Sequence, residues 1–311
     1  MSHTKIAAMI EPGSRRADFV GLDRPILVTG TPRSGKSVVA EIIRLAPEFE
    51  YVGEPLLIWD FGLGRQSDDR RGAAEASEEV RREIVESCAT IVARAGKSRY
   101  VDAFSYHALR IPFVHRVMPE ARIIHIIRDP IEAIPEILFG WTYKDPVRKA
   151  IMRRRKGLKL STLPAHVLRF TKNYVLSRVR GKRATWGPRV PGLSEFVAAH
   201  SAAEVAAFQW RRMTEIALDD LETLPADCYL NVRFDQLLTD PRPESRRIAD
   251  FCDVADPAGL TEAAVAMIDP AIAFEKKVFP SEAEWAAIAP LIAPLQERLG
   301  FPRGVPGSES A

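Results

Sequence analysis

One stretch, RPILVTGTPRSGKSVVAEIIRLA, restricts the fold of this 311-residue chain more than any other feature. From Arg24 it opens with a short apolar, β-branched run that ends in glycine, which is typical of a buried strand. Its last part, SVVAEIIRLA, carries apolar residues at helical spacing. Between the two, Gly30–Ser37 fits G-x-x-x-x-G-K-[ST], a loop whose backbone N–H groups surround an anion at a helix N-terminus. We call Gly30–Ser37 the phosphate loop, and the stretch predicts strand, loop and helix in succession.

Strands and helices alternate along the rest of the chain. Further strands are predicted in EYVGEP, in RIIHII from Arg122 and in CYLNVRF, and helices over EEVRREIVESCATIVARAG, over residues 201–223 and up to LIAPLQERLGF. Such alternation indicates a parallel sheet covered by helices on both faces. We therefore predict a single three-layer α/β domain of the P-loop-like class over 1–311, with a core at about 24–300 and a disordered tail at 304–311.

The composition predicts a soluble cytoplasmic protein without a metal. Its three cysteines, Cys88, Cys228 and Cys252, are too widely spaced for a disulfide framework or a metal site. Residues 1–19 lack the apolar run of a signal peptide. Nowhere does an apolar run reach the roughly 18 residues that a membrane span needs.

Positive charge is concentrated between Lys144 and Arg189. This segment holds 15 Lys and Arg against one acid, Asp145, a net charge of +14, whereas the whole chain carries +3. It interrupts the alternation, so we predict a basic helical insertion or lid over 141–200 that includes a helix at 166–183. The alternative is a helical segment that lies in solvent and does not cover the site. A local field of this size attracts anions whatever the fold.

Three motifs follow three predicted strands in a fixed order. Thr31-Pro-Arg-Ser-Gly follows the first strand, Gly53-Glu-Pro the second, and Arg128-Asp-Pro the strand IIHII. Together with LRIPFVHRVMPEARIIHIIRDP and with RFDQLLTDP near the end of the chain, they resemble the PAPS-dependent sulfotransferases, above all the bacterial and tyrosylprotein-type branches. The resemblance covers most of residues 25–300 and implies the same P-loop-like fold.

The resemblance also implies a role for each motif. Sulfuryl transfer from PAPS would proceed by in-line displacement, with Glu54 accepting the proton of a hydroxyl or amine acceptor and Arg33 and Lys36 stabilising the leaving phosphate. Arg128 would bind the 3′-phosphate of PAPS, unless it forms a structural ion pair with neighbouring acids. The residues expected to wrap the 5′-phosphate are Arg33, Ser34, Gly35, Lys36 and Ser37.

The chain departs from the family pattern at three positions. Glu136 stands eight residues after Arg128, where the family has a serine of the 3′-phosphate site, and its charge would repel that phosphate unless it turns away. Ala103 stands where the family often has a lysine that contacts the sulfonate. Lys36 occupies a position usually held by threonine, and it could replace that missing lysine.

Two other functions stay open at this point. Lys36 and Ser37 also suit an ATP-dependent phosphotransferase or NTPase with Ser37 as a magnesium ligand, although Asp129 offers only a weak Walker-B aspartate. A non-catalytic anion-binding protein is the third. Few aromatic residues interleave with the basic ones, so nucleic acid is not the expected partner. The expected acceptor is a small molecule, saccharide or lipid-linked glycan, and the basic segment favours an anionic one. Peripheral membrane contact through 144–189 is a further hypothesis, and the oligomeric state is left open.

Histidines are the remaining candidates for proton transfer. His107, His115 and His125 lie on different predicted elements and are expected to be core or surface histidines. His125, within RIIHII, is the one that could point toward the site.

Overall fold

The computed structural model describes residues 22–64, 66–142, 186–268 and 277–302. Within these ranges five strands form one sheet in which every neighbouring pair is parallel. Across the sheet they are ordered β2-β3-β1-β4-β5, so the strand that leads into the phosphate loop is central. In chain order they are β1 (Ile26–Gly30), β2 (Phe49–Val52), β3 (Arg99–Ala103), β4 (Arg122–Ile127) and β5 (Tyr229–Arg233).

Helices cover both faces of the sheet and confirm the predicted three-layer α/β fold of the P-loop-like class. In the described ranges they are α1 (Lys36–Arg44), α2 (Leu56–Trp59), α3 (Glu78–Arg94), α4 (Ile111–Val117), α5 (Pro130–Thr142), α6 (Leu193–Ala199), α7 (Ala202–Leu221), α8 (Phe234–Thr239), α9 (Pro241–Cys252), α10 (Pro257–Met267) and α11 (Glu282–Arg298). One core cluster joins a face of the sheet to α3, α4 and α7, and another joins the opposite face to α1, α9 and α10. A third cluster packs α5, α7 and α11 together.

Local sequence signals account for most of these elements. Strand β4 is almost wholly apolar because a central parallel strand is buried on both faces. Helix α7 begins at a capping box in which Ser201 accepts from the N–H of Glu204 and the Glu204 carboxylate accepts from the N–H of Ser201. The same reciprocal arrangement of Ser281 and Glu284 starts α11.

Strand β3 was not among the predicted strands. Its sequence, RYVDA, places two charged residues in five, which is unusual for a strand buried throughout. Burial is possible because both charges find partners within the fold. Arg99 donates to the carbonyl oxygens of Arg24 (2.9 Å) and Asp253 (3.0 Å). Asp102 accepts hydrogen bonds from three buried side chains, Trp59 Nε1 at 2.9 Å, Tyr100 Oη at 3.0 Å and His107 Nε2 at 3.2 Å.

Most of the predicted basic insertion lies outside the described residues, at 143–185, and so does the predicted tail at 304–311. Of the remaining parts, Trp141 and Thr142 end α5, and α6 lies within the predicted range. Residues 186–192, the sequence WGPRVPG, form neither helix nor strand, as their proline and glycine content predicts.

Candidate active site

The predicted motifs meet at one edge of the sheet. Because all five strands are parallel, the phosphate loop after β1, Gly53 after β2 and Arg128 after β4 all lie at the carboxyl ends of their strands. Backbone hydrogen bonds continue the sheet into this edge, since Phe104 N–H donates to Val28 O at 2.9 Å. In open α/β sheets this edge is where ligands bind.

Two glycines give the phosphate loop backbone angles that other residues rarely adopt. Gly30 has φ 146° and Gly35 has φ 96°, values that L side chains rarely adopt. Space excludes a side chain as well, because a Cβ on Gly30 would lie 2.4 Å from Ile126 O and one on Gly35 would lie 2.2 Å from the Phe234 ring. The two glycines therefore let β4 and α8 press against the loop and fix its curvature.

Two hydroxyl groups of the loop are buried without a partner. Neither Thr31 Oγ1 nor Ser34 Oγ has a hydrogen-bond partner within the described residues. A buried polar group left unsatisfied costs about 1–3 kcal/mol, so such groups in a loop that opens a helix point to a bound ligand that accepts from them. Phosphate oxygens provide such acceptors, and the N-terminus of α1 favours negative charge.

Lys36 lies inside the loop instead of in solvent. Its side chain is buried, and Nζ donates to Thr31 O at 2.7 Å. Burial lowers the pKa of Lys36 to about 8; the charge of Glu54 opposes this shift and the charge of Arg33 adds to it. Glu54 and Arg33 thus both lie within electrostatic reach of Lys36, and the catalytic roles given to these three residues stay predictions.

Glu54 is exposed at the end of β2, immediately before Pro55 and α2. Within the described residues its carboxylate makes no hydrogen bond or ion pair, so no arginine of those ranges neutralises it. Helix α2 is anchored beneath it, since Trp59 Nε1 donates to the buried Asp102 carboxylate. A free carboxylate on a fixed support suits a proton acceptor.

Arg128 is buried and already paired with carboxylates. Its Nη2 lies 2.8 Å from Glu136 Oε1 and 3.7 Å from Glu132 Oε2, and its Nη1 donates to Arg33 O at 2.6 Å. Burial raises the pKa of Glu136, and the charge of Arg128 is the largest influence against that rise. Glu136 therefore does not turn away from Arg128, the possibility that the sequence had left for accommodating a 3′-phosphate; it forms an ion pair with that arginine.

The three histidines are core or partly buried residues. Burial lowers the pKa of His125 to about 4, opposed by its 3.0 Å hydrogen bond with Asn231 Oδ1 and assisted by the charge of Lys36. His125 therefore lies near Lys36 in its neutral form. His107 is buried against Asp102, and His115 is partly buried on α4.

Gln209 was not among the predicted site residues, yet it joins two described parts of the basic insertion, at Trp141 and at Trp186–Pro188. Its Nε2 donates to Trp186 O (3.1 Å) and Pro188 O (2.7 Å), while its Oε1 accepts from Trp141 Nε1 (3.2 Å). Pro32 of the phosphate loop borders the same place, because it lies 3.5 Å from the position of a Cβ on Gly187. A lone glutamine in a helix gives no local signal of such contacts.

Arg189, the last cation of the basic segment, has a structural partner. It forms an ion pair with Asp69 at 2.7 Å, and its backbone N–H donates to the same carboxylate. These contacts attach the chain at Arg189 to residues 66–69. The guanidinium of Arg189 therefore has a structural role and is not available to a ligand.

The described residues contain neither a metal-binding cluster nor a helix that could span a membrane. No cluster of three or more His, Cys, Asp or Glu side chains in those ranges could hold a metal ion. In the same ranges, every helix is too short or too polar to cross a membrane.

Comparison with known proteins shows a likeness of these motifs to one family. Residues 25–153 match the model of the sulfotransferase family, while no curated protein matches the chain. Similar solved structures include the sulfotransferase domain from the curacin biosynthetic pathway (13% identity, 91% of this chain and 100% of that one, TM-score 0.48), the sulfotransferase STF9 from Mycobacterium avium (14%, 91% and 79%, 0.47) and the sulfotransferase domain from the Synechococcus PCC 7002 olefin synthase (17%, 91% and 98%, 0.45). The matched residues contain the phosphate loop, Glu54, Arg128 and Glu136, so the predicted site residues lie in the part of the chain that is similar to the sulfotransferase family.

Proposed function

We propose that the chain transfers a sulfuryl group from PAPS to a hydroxyl or amine acceptor. The observation that carries this proposal is the phosphate loop itself, which holds Lys36 and two buried hydroxyls next to the exposed Glu54. Neither the hydroxyls nor the Glu54 carboxylate has a partner in the part of the chain that the structure describes. Anion binding and proton acceptance are thus available at one edge of the sheet. The similarity of residues 25–153 to the sulfotransferase family favours sulfuryl transfer among the reactions that such an arrangement could serve.

The residues present fit the 5′-phosphate end of the donor. PAPS supplies a sulfuryl group that is activated by its anhydride bond to a 5′-phosphate. Thr31 Oγ1 and Ser34 Oγ would donate to oxygens of that phosphate and so gain the partners that they lack. Arg33 and Lys36 would hold the negative charge that develops on the leaving phosphate.

Glu54 acts on the acceptor in this proposal. Its carboxylate accepts the proton from the acceptor oxygen or nitrogen as that atom attacks sulfur, while the loop holds the leaving group in line behind the sulfur. Lys36, with a pKa of about 8, is mostly protonated at neutral pH and keeps its charge for the leaving phosphate. No residue of the chain needs to form a covalent intermediate.

Substitution of Glu54 tests this assignment. In Glu54→Gln we expect turnover to fall by about 10²–10⁴-fold, since the amide cannot accept the proton, while the affinity for adenosine 3′,5′-bisphosphate stays within about twofold. Turnover is measured as transfer of label from ³⁵S-labelled PAPS to a panel of alcohols and amines, and affinity by calorimetry. Wild-type turnover in the variant would remove Glu54 from the mechanism and direct attention to His107 and His125.

An ATP-dependent phosphotransferase is the second candidate, and one observation favours it. Arg128 is paired with Glu136, as expected where no 3′-phosphate needs to be bound. Against it, Asp129 accepts from the N–H of Ile131 at 2.8 Å and so caps α5 instead of facing a metal. Calorimetry decides between the two: tighter binding of ATP with magnesium than of adenosine 3′,5′-bisphosphate would favour the phosphotransferase. A third possibility, binding without catalysis, predicts that no label moves from either donor.

The acceptor is proposed to be anionic, as an acidic saccharide, a phosphorylated metabolite or a lipid-linked glycan at an acidic membrane surface. The +14 charge of residues 144–189 supports this, because the donor alone does not require so many cations. Gln209 bonds with Trp141, just before that segment, and with Trp186 within it, and the neighbouring Gly187 lies beside Pro32 of the phosphate loop.

A further inference from the structure

Glu136 is a carboxylate in the place where a second phosphate of the donor is expected. It stands in contact with Arg128, the two side chains being only 12% and 5% exposed. Arg33 and Lys277 also act on it, since the charge of each lowers its pKa against the effect of burial. Glu136 is thus a buried negative charge, stabilised by neighbouring cations, that belongs to the protein and not to a ligand.

Helix α5 presents two carboxylates to this corner of the site. Glu132 and Glu136 are one helical turn apart and therefore on the same face. Glu132 lies 3.7 Å from Arg128 and forms an ion pair with Lys277 at 2.7 Å. The helix is held against the segment that carries Lys277, because Val278 N–H donates to Pro135 O at 3.0 Å. Arg128 and Lys277 are thus already neutralised by two carboxylates of the protein.

This neutralisation changes what a nucleotide gains from a phosphate at the ribose 3′ position. A 3′-phosphate that reached Arg128 would have to displace Glu136 and leave that carboxylate buried beside a second anion. A 3′-hydroxyl has no such cost, because it could donate to Glu136 while the ion pair stays intact.

We infer that Glu136 determines donor specificity by taking the place of a 3′-phosphate, so that the site accepts adenosine 5′-phosphosulfate compounds with a free 3′-hydroxyl as well as PAPS. The inference rests on the proposed function and refines its donor class. PAPS is still a donor, but its 3′-phosphate is not what the site selects.

The experiment compares two ligands that differ only in the 3′-phosphate. Dissociation constants of adenosine 3′,5′-bisphosphate and 5′-AMP are measured by calorimetry for the wild type, Glu136→Gln and Glu136→Ser. The wild type should prefer the bisphosphate by less than about fivefold. Both variants should raise that preference by about tenfold or more, entirely through tighter bisphosphate binding, because a contact between like charges is removed.

Glu132→Gln is the matched control, since it removes a carboxylate from the same face of α5 without breaking the 2.8 Å contact between Arg128 and Glu136. It should change the preference by less than about threefold.

Two results overturn the inference while leaving the proposed function standing. The first is a wild-type preference of more than a hundredfold for the bisphosphate over 5′-AMP, a measurement that does not depend on any variant being folded. The second is a preference that stays the same in folded Glu136 variants. If neither nucleotide binds the wild type or any variant, the proposed function fails, and this inference fails with it.

Discussion

Raising the pH should weaken nucleotide binding through Lys36. Burial lowers the pKa of this side chain to about 8 in the ligand-free protein. A bound phosphate stabilises the ammonium and raises the pKa again. Above pH 8 binding must therefore be accompanied by uptake of a proton, and the affinity falls as that proton becomes scarcer.

The size of the effect follows from the protonated fraction of Lys36. If the bound anion keeps Lys36 protonated throughout, a free pKa of about 8 leaves half the molecules charged at pH 8 and roughly 3% at pH 9.5. The affinity should then fall about thirtyfold between pH 7 and pH 9.5, which corresponds to roughly 2 kcal/mol. An exposed lysine with an ordinary pKa near 10.4 would give less than about a twofold change over the same range.

Calorimetry with adenosine 3′,5′-bisphosphate at constant ionic strength measures this dependence, because the phosphates of the ligand are fully ionised over most of the range. Lys36→Met provides the control: binding should be weaker at pH 7 and flat up to pH 9.5. A flat profile in the wild type would refute the reasoning. So would the same decline in Lys36→Met, because the titrating group would then lie elsewhere.

Two further predictions concern the basic insertion and its attachment. Gln209→Leu removes three hydrogen bonds, one buried and two partly buried, and should cost about 2–4 kcal/mol of unfolding free energy in urea denaturation. Gln236→Leu, at an exposed position, should cost less than about 0.5 kcal/mol. Equal losses would contradict the role given to Gln209. Reversing the charge of Arg153, Arg154 and Arg155 to Glu should raise the acceptor KM and flatten its salt dependence without changing bisphosphate affinity, and the triple Gln variant should lie between the two. If KM and its salt dependence stay the same in a folded variant, these arginines do not recruit the acceptor.

Much of the candidate site could be read from the sequence because its signals are local. The strand, the phosphate loop and α1 follow one another directly, and the two glycines at φ 146° and 96° are required by the loop's own backbone. Alternation of strands and helices then implies a parallel sheet, and a parallel sheet brings Glu54 and Arg128 to the loop at the same edge. These conclusions depend only on neighbours in the chain and on the geometry shared by all such sheets.

Tertiary packing alone decided the charge states and partners at that edge. Burial lowers the pKa of Lys36 to about 8, and the degree of burial of a lysine cannot be read from its residue type. From the sequence, Glu136 could repel a 3′-phosphate or bind Arg128, and only the position of α5 in the folded chain, packed with α7 and α11, selects the ion pair. Strand β3 is buried because Asp102 finds Trp59, 43 residues away, as a hydrogen-bond donor. The physical reason is the same in each case: the free energy of a buried charge depends on groups that are distant in sequence and that only the folded chain brings into contact.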